Sequence, residues 1–371
     1  MHCLRSWNAL TLLTRSTLAL ATVALVPGCS GDSTADSSAT ATTTDATTTA
    51  GTTSETTTTT TTTTEATTEA TSTDTTTTEG TTTEGTTTAG TTTEGTTTEG
   101  TTGETTGTTT GGGEPVIVEG FSHPESVLWS AMEMRWYVSN IGGDPSAKDG
   151  DGFISRLAAD GTVEAMNWAT GLDAPKGSGI AGGRLYVADL DQVRVLDTGD
   201  GSLLMSVPIP GAVFLNDVAV SMMGEVYVSD TGTNTIHRLT GGMMSEVVVT
   251  SADLHGPNGL TFAGDRLIVA SYGDMNGDGA VFRMMGMTPI QVGTLTGSLD
   301  GLVARMNDYL VTDFNGLLYR VPADGSPHEI VRDFVVEDGF LSSADIGLAR
   351  TLGILAVPDL LGDRVGFFPL Q

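Results

Sequence analysis

Beyond residue 113 the chain consists of short apolar runs separated by clusters of Gly, Asp, Asn and Ser, the punctuation of β-strands joined by tight turns. One unit recurs. A turn holding an acidic or amide residue leads into an apolar strand at Pro124-Glu125-Ser126-Val127, Asn216-Asp217-Val218, Asn258-Gly259-Leu260, Asp300-Gly301-Leu302 and Asp345-Ile346-Gly347. About ten residues after each comes a second strand: Trp136-Tyr137-Val138, Val226-Tyr227-Val228, Leu267-Ile268-Val269, Leu310-Val311-Thr312 and Ile354-Leu355-Ala356, with Leu185-Tyr186-Val187 completing the set. The copies stand roughly 40 to 50 residues apart, the period of propeller blades. Six copies predict an all-β fold, a six-bladed β-propeller of four-stranded antiparallel blades.

The unit is clearest between Asn216 and Val249, where strands at Val218 to Val220, Glu225 to Ser229, Thr235 to Leu239 and Ser245 to Val249 are divided by Gly-containing turns. Ala158-Ala159-Asp160-Gly161, Thr198-Gly199-Asp200-Gly201 and Ala323-Asp324-Gly325 mark the third turn elsewhere. The last unit ends with Val365 to Phe368, one strand short. Pro115 to Glu119 is the strand available to complete it, and closure removes an open sheet edge. Helix content is expected to be close to nil.

The N-terminal residues tell a different story. Arg5 and Arg15 precede an apolar run from Leu18 to Val26, the layout of a targeting segment over residues 1–29, and the run is short for a membrane span. Val26-Pro27-Gly28-Cys29 resembles a bacterial lipobox, which implies export, cleavage and a lipid on Cys29 as the sole membrane attachment. Residues 30–113 are mostly Thr with Gly, Ala, Ser and scattered Glu or Asp, without aromatic or basic side chains. Such a stretch has nothing to pack and is expected to be a disordered linker, holding a propeller at 114–371 roughly 50 Å from its anchor. Cys3 would leave with the targeting segment, so the domain is expected to stand without disulfides. The net charge of −29 argues against nucleic acid as a partner.

In a propeller the first strand of each blade starts at the central channel, so the repeated turn directs Glu125, Lys176, Asn216, Asn258, Asp300 and Asp345 toward the axis. Carboxylates and amide carbonyls are ligands for hard divalent cations such as Ca²⁺. At this point the chain resembles the gluconolactonase, regucalcin (senescence marker protein) and luciferin-regenerating enzyme family over residues 116–371. The resemblance rests on a Glu in the first blade, an Asn-Asp pair, an Asn-Gly pair and an Asp-Gly pair, in that order and spacing. It implies one divalent cation, Ca²⁺ before Zn²⁺ or Mn²⁺, on Glu125, Asn216, Asn258 and Asp300. It also implies that Asp300 doubles as general base in hydrolysis of a lactone or ester. Two positions depart from the family pattern: Ser126-Val127 replace Gly-Pro after Glu125, and Phe214 stands where the family often has an Arg for sugar-like substrates. No substrate identity is therefore carried over.

His123 and His255 precede two of these residues and are candidates for proton transfer; Lys176, Phe214 and Asp217 are candidate substrate contacts. Asp345 reads as an Asx-turn. Asp274-Met275-Asn276-Gly277-Asp278-Gly279 follows the first half of a calcium loop but lacks its closing Glu, and Asp149-Gly150-Asp151-Gly152 holds the equivalent place in the first blade; both read as polar hairpins. Asn140, Asp189, Asp230, Asp313 and Asp359 end the second strands, a regularity that points to carboxylates bonded to nearby backbone. Met222-Met223, Met243-Met244 and Met284-Met285 read as packing residues. Two functions stay open: a tethered metal-dependent hydrolase, expected as a monomer acting on a small lactone or ester, and a non-catalytic propeller that binds a surface ligand.

Overall fold

The computed structural model describes residues 113–241, 244–273 and 277–370. The targeting segment, Cys29 and the Thr-rich stretch up to residue 112 lie outside the described residues. What is described forms six four-stranded antiparallel sheets in chain order. Blade 1 holds β2 (Pro124–Ser130), β3 (Arg135–Asn140), β4 (Gly152–Ala158) and β5 (Val163–Leu172). Blade 2 holds β6 (Pro175–Ala181), β7 (Arg184–Asp189), β8 (Gln192–Asp197) and β9 (Leu203–Pro208). Blade 3 holds β10 (Leu215–Val220), β11 (Val226–Asp230), β12 (Thr235–Thr240) and β13 (Met244–Thr250). Blade 4 holds β14 (Pro257–Ala263), β15 (Arg266–Ser271), β16 (Val281–Met285) and β17 (Thr288–Gln291). Blade 5 holds β18 (Leu299–Ala304), β19 (Asp308–Asp313), β20 (Leu317–Pro322) and β21 (Glu329–Asp333). Blade 6 joins both ends of the domain: β22 (Gly347–Ala349), β23 (Ile354–Asp359) and β24 (Arg364–Pro369) take β1 (Val116–Glu119) as their fourth strand, with Val116 opposite Phe367 and Glu119 opposite Arg364. The expected closure by the N-terminal strand is what the structure shows. Among the described residues helix is limited to α1 (Phe334–Glu337) and two 3₁₀ turns at Ala252–Leu254 and Leu360–Gly362.

Burial falls from second strand to rim. The second strands β3, β7, β15, β19 and β23 are buried along almost their whole length, because neighbouring blades cover both faces, and they carry continuous apolar runs for the same reason. The fourth strands β9, β13, β17, β21 and β1 are mostly exposed. The core is accordingly one cluster per seam between blades, six in all, with a small seventh of Ile141, Ala174 and Leu190 apart from them. Trp136, Val138, Ala356 and Phe367 fill the seam that closes the ring between blades 6 and 1, with Trp136 and Phe367 packed edge to face at 5.4 Å.

The residues ending the second strands tie each blade to the loop that enters it. Asp189 accepts the backbone N–H groups of Asp173 and Ala174, Asp230 those of Val213 and Phe214, and Asp359 those of Leu341 and Ser342. Asp313 accepts from Ser298 N and Asn140 Oδ1 from Ser122 N. The bonds to the four aspartates are charge-assisted, the one to Asn140 neutral, and all satisfy otherwise stranded donors, so this repeated position is structural, as its regularity suggested. Ser271 holds this place in blade 4.

One sequence-based reading is corrected here. Met284 packs in the core, but Met222, Met223, Met244 and Met285 are 84%, 86%, 68% and 61% exposed. They sit at turns or strand ends on the face opposite the channel entrance, where no neighbouring blade covers them.

A chain beginning at Gly120 lacks β1 and leaves β24 as an open edge. It should lose at least about 2 kcal/mol, or roughly 4–8 °C in Tm, and self-associate on concentration, whereas a chain beginning at 113 should melt like the full protein; calorimetry and sedimentation measure both.

Candidate metal centre in the central channel

Each of the first five blades skips a step in the pairing of its first two strands. The skips fall between Pro124 and Ser126, Pro175 and Ser178, Leu215 and Val218, Pro257 and Leu260, and Leu299 and Leu302. The bulged residues are Glu125, Lys176-Gly177, Asn216-Asp217, Asn258-Gly259 and Asp300-Gly301. A bulge bends its strand and re-aims a side chain, and here it does so at each position expected to face the axis. Glu125, Lys176, Asn216, Asn258 and Asp300 are at most 5% exposed.

Glu125 Oε2, Asn216 Oδ1, Asn258 Oδ1 and Asp300 Oδ1 are buried and have no hydrogen-bond partner. A buried acceptor without a partner costs about 1–3 kcal/mol, more if charged, so native folds rarely leave several in one region. Two carboxylates and two amides, each presenting an oxygen, suit a hard divalent cation. Among the described residues no three His, Cys, Asp or Glu side chains form a group able to hold a metal, so the fit depends on the two asparagines.

The electrostatics point the same way. Burial pushes the Glu125 carboxyl well above its ordinary range, and Asp300 and Asp345 push it further, with Lys176 opposing. Asp300 is raised by burial, then by Asp345 and Asp313. Burial lowers the Lys176 ammonium against the pull of Glu125 and Asp189.

Blade 6 departs from the expected register. Gly347 pairs with Ala356 and Leu302 with Val311; counted back from Asp359 and Asp313, Ala344 is the counterpart of Asp300. Asp345 instead matches Asp217, one place further along. Both serve the seams. Asp217 accepts from Val218 N and Leu260 N at 2.6 Å each, and Asp345 accepts from Ser126 Oγ at 2.7 Å and from the backbone of Ile346 and Leu302. They stand at the inner end of a cavity of about 330 Å³ that opens between the apolar first strands. Asp217, expected as a substrate contact, thus has both oxygens engaged by backbone.

Lys176 and Phe214 meet, the ammonium 4.3 Å from the ring centre, while Nζ also donates to Pro145 O and Ala174 O. Pro145 belongs to the loop after β3, which reaches over blade 2 and pairs Lys148 with Asp191 at 2.7 Å. His123 is half-buried, with Nδ1 3.2 Å from Gly142 O. His255 is exposed, with Nδ1 3.4 Å from Asp278 Oδ2. No hydrogen bond among the described residues links either imidazole to the four oxygens. Of the two hairpins, Asp149 and Asp151 are exposed neighbours, and residues 274–276 lie outside the described residues. The residues that follow the second strands were not anticipated: Ile141, Leu190, Tyr272, Phe314 and Leu360 stand at the channel entrance. A signal was available for four of them, one place beyond Asn140, Asp189, Asp313 and Asp359, but Tyr272 follows Ser271, which stands outside that repeated set.

No protein-family model and no curated protein matches the chain. Among solved structures, a gluconolactonase from Xanthomonas campestris is 15% identical with a TM-score of 0.54, covering 70% of this chain and 90% of that one. A putative gluconolactonase is 14% identical with a TM-score of 0.51, covering 68% and 91%. A virginiamycin B lyase from Staphylococcus aureus is 14% identical with a TM-score of 0.47, covering 70% and 100%. At these identities the likeness to the two gluconolactonase structures bears on the fold alone and agrees with the six-bladed propeller.

The raised carboxyls make metal-free stability depend on pH. Asp345 is pushed up to about 7, and Glu125, Asp217 and Asp300 are raised as well. The folded protein therefore holds protons that the unfolded chain has released, and stability is lost as pH rises from about 4 through 7. In chelator, Tm should fall between about pH 5 and pH 8; a flat or rising Tm would contradict the burial of these groups.

Proposed function

We propose that the channel binds one divalent cation, Ca²⁺ in the first instance, through Glu125, Asn216, Asn258 and Asp300, and that the protein hydrolyses lactones or esters there. The observation that carries this reading is the set of four buried oxygens without partners. Of the solved structures with the same fold, one is a gluconolactonase and another a putative gluconolactonase, which is consistent with it. When bound, the cation would supply Lewis acidity to the substrate carbonyl.

The chain's own residues supply the rest. Asp300, with a positive countercharge offsetting Asp345 and Asp313, is ionised and accepts the proton of the attacking water. Glu125, Asn216 and Asn258 hold the oxygen positions fixed, since each sits on a bulge locked by two neighbouring blades. Lys176 keeps its ammonium against Phe214 and two carbonyls, which balances part of the negative charge. An exported protein carrying a lipid on Cys29 would present this site at the cell envelope.

Two variants separate ligation from catalysis. Asn258→Ala with Asp300→Ala should abolish the single bound cation measured by elemental analysis and calorimetry. Asp300→Asn keeps an oxygen ligand but loses the base; it should retain metal and lose roughly 10²–10⁴-fold in hydrolysis. Wild-type protein that takes up no Ca²⁺, Mn²⁺ or Zn²⁺ would leave the alternative, a binding propeller.

A further inference from the structure

We propose that the channel entrance selects substrates with an aromatic or alkyl body over polyhydroxylated ones. This rests on the hydrolase reading and adds the class of substrate.

The second strands end where the first strands begin: Asn140 lies opposite Pro124, Asp189 opposite Pro175 and Asp313 opposite Leu299. The residue after each second strand therefore stands at the entrance to the candidate metal centre. In chain order these are Ile141, Leu190, Thr231, Tyr272, Phe314 and Leu360, and only Thr231 is neither aliphatic nor aromatic. They touch across blade boundaries. Ile141, Leu190 and Ala174 form a buried cluster with Leu360 against it, an arc over blades 6, 1 and 2 that belongs to no seam. Phe214 under Lys176 continues it toward blade 3. Tyr272 and Phe314 meet edge to face, ring centres 6.2 Å apart, across blades 4 and 5.

Among the described residues, the polar side chains nearest this collar are already engaged, while Asp149 and Asp151 stand exposed on the loop after β3. The carboxylates of Asp189, Asp230, Asp313 and Asp359 hold loop backbone, Lys176 donates to two carbonyls, and His255 pairs with Asp278. Those engaged side chains offer a sugar ring few donors and acceptors in exchange for water, and hydroxyls left unpaired against an apolar wall lose affinity. Apolar residues of the adjoining loops continue outward, with Val213 and Leu341 64% and 62% exposed. Ile141 and Leu190 are themselves buried and back the collar, so an aryl or alkyl body would cover the half-buried Phe214, Tyr272, Phe314 and Leu360 and gain about 25 cal/mol per Å² removed from water.

The test uses the full chain with Ca²⁺, comparing 3,4-dihydrocoumarin and a long-chain alkyl γ-lactone with glucono-δ-lactone, and by calorimetry their non-hydrolysable lactams. The expected result is kcat/KM at least about 10²-fold higher for the aryl and alkyl lactones, with the lactams ranked in the same order. Phe314→Ser should raise KM for dihydrocoumarin about 10-fold and narrow the preference, while Phe314→Leu, which keeps apolar surface, should preserve it. Equal or better hydrolysis of the sugar lactone, tighter binding of its lactam, or binding of neither class overturns the proposal. Selective binding of the aryl lactam with no turnover of any lactone would instead sink the hydrolase reading and leave the collar's selectivity standing.

Discussion

Around the axis, the backbone of one first strand lies directly against the next. Val127 N donates to Asp345 O at 3.2 Å and Asp345 N to Glu125 O at 2.9 Å, so the first strands of blades 1 and 6 bridge in parallel. A Cβ at Gly301 would stand 2.5 Å from Ile346 N, and one at Gly177 or Gly259 would collide with Asp217 or with the backbone of Asp300. Contact this close has two consequences. It allows only Gly, or a side chain that bonds across the seam as Ser126, Asp217 and Asp345 do, at the inner position of each unit. It also forces the preceding residue into the bulge that aims it at the channel. The candidate metal centre follows from ring closure: the same crowding that packs the blades sets the oxygens around one axis.

Crowding also creates the fold's main electrostatic liability. Burial raises the proton affinity of Glu125, Asp217, Asp300 and Asp345, and the charge of Asp345 raises that of the other three further. Elsewhere the protein meets such demands, since the carboxylates at the second-strand ends each hold several donors. A local conflict inside a fold that is consistent everywhere else is the usual mark of a functional site. Asp217 and Asp345 resolve part of it through backbone N–H groups. The partnerless oxygens of Glu125, Asn216, Asn258 and Asp300 do not resolve it within the chain.

The parts of this architecture that could be read in advance were those encoded locally. Turn chemistry at Asp160-Gly161 or Gly241-Gly242, the buried run Trp136-Tyr137-Val138, and the interval between copies depend on neighbours along the chain, so blade number, strand order and closure by Val116–Glu119 were legible. The axial residues of blades 1 to 5 were legible for the same reason, since each sits in a repeated turn. Blade 6 misled because Asp345 matches the turn in composition, while its place is set by pairing with β23, which shifts it one step and leaves Ala344 toward the axis. The exposed methionines misled because apolar character says nothing about whether another blade arrives to cover it.

Sequence by itself determined the number of blades, the strand that closes the ring and, in blades 1 to 5, which polar residues occupy the repeated turn, because strand patterning and Gly-Asp turns act over a few residues. Only the tertiary structure decided which oxygens are left without partners, which carboxylates are consumed by the seams, and that Ile141, Leu190, Tyr272, Phe314 and Leu360 join into a collar. Those outcomes depend on contacts between blades roughly 40 residues apart in the chain, which exist only once the ring has closed.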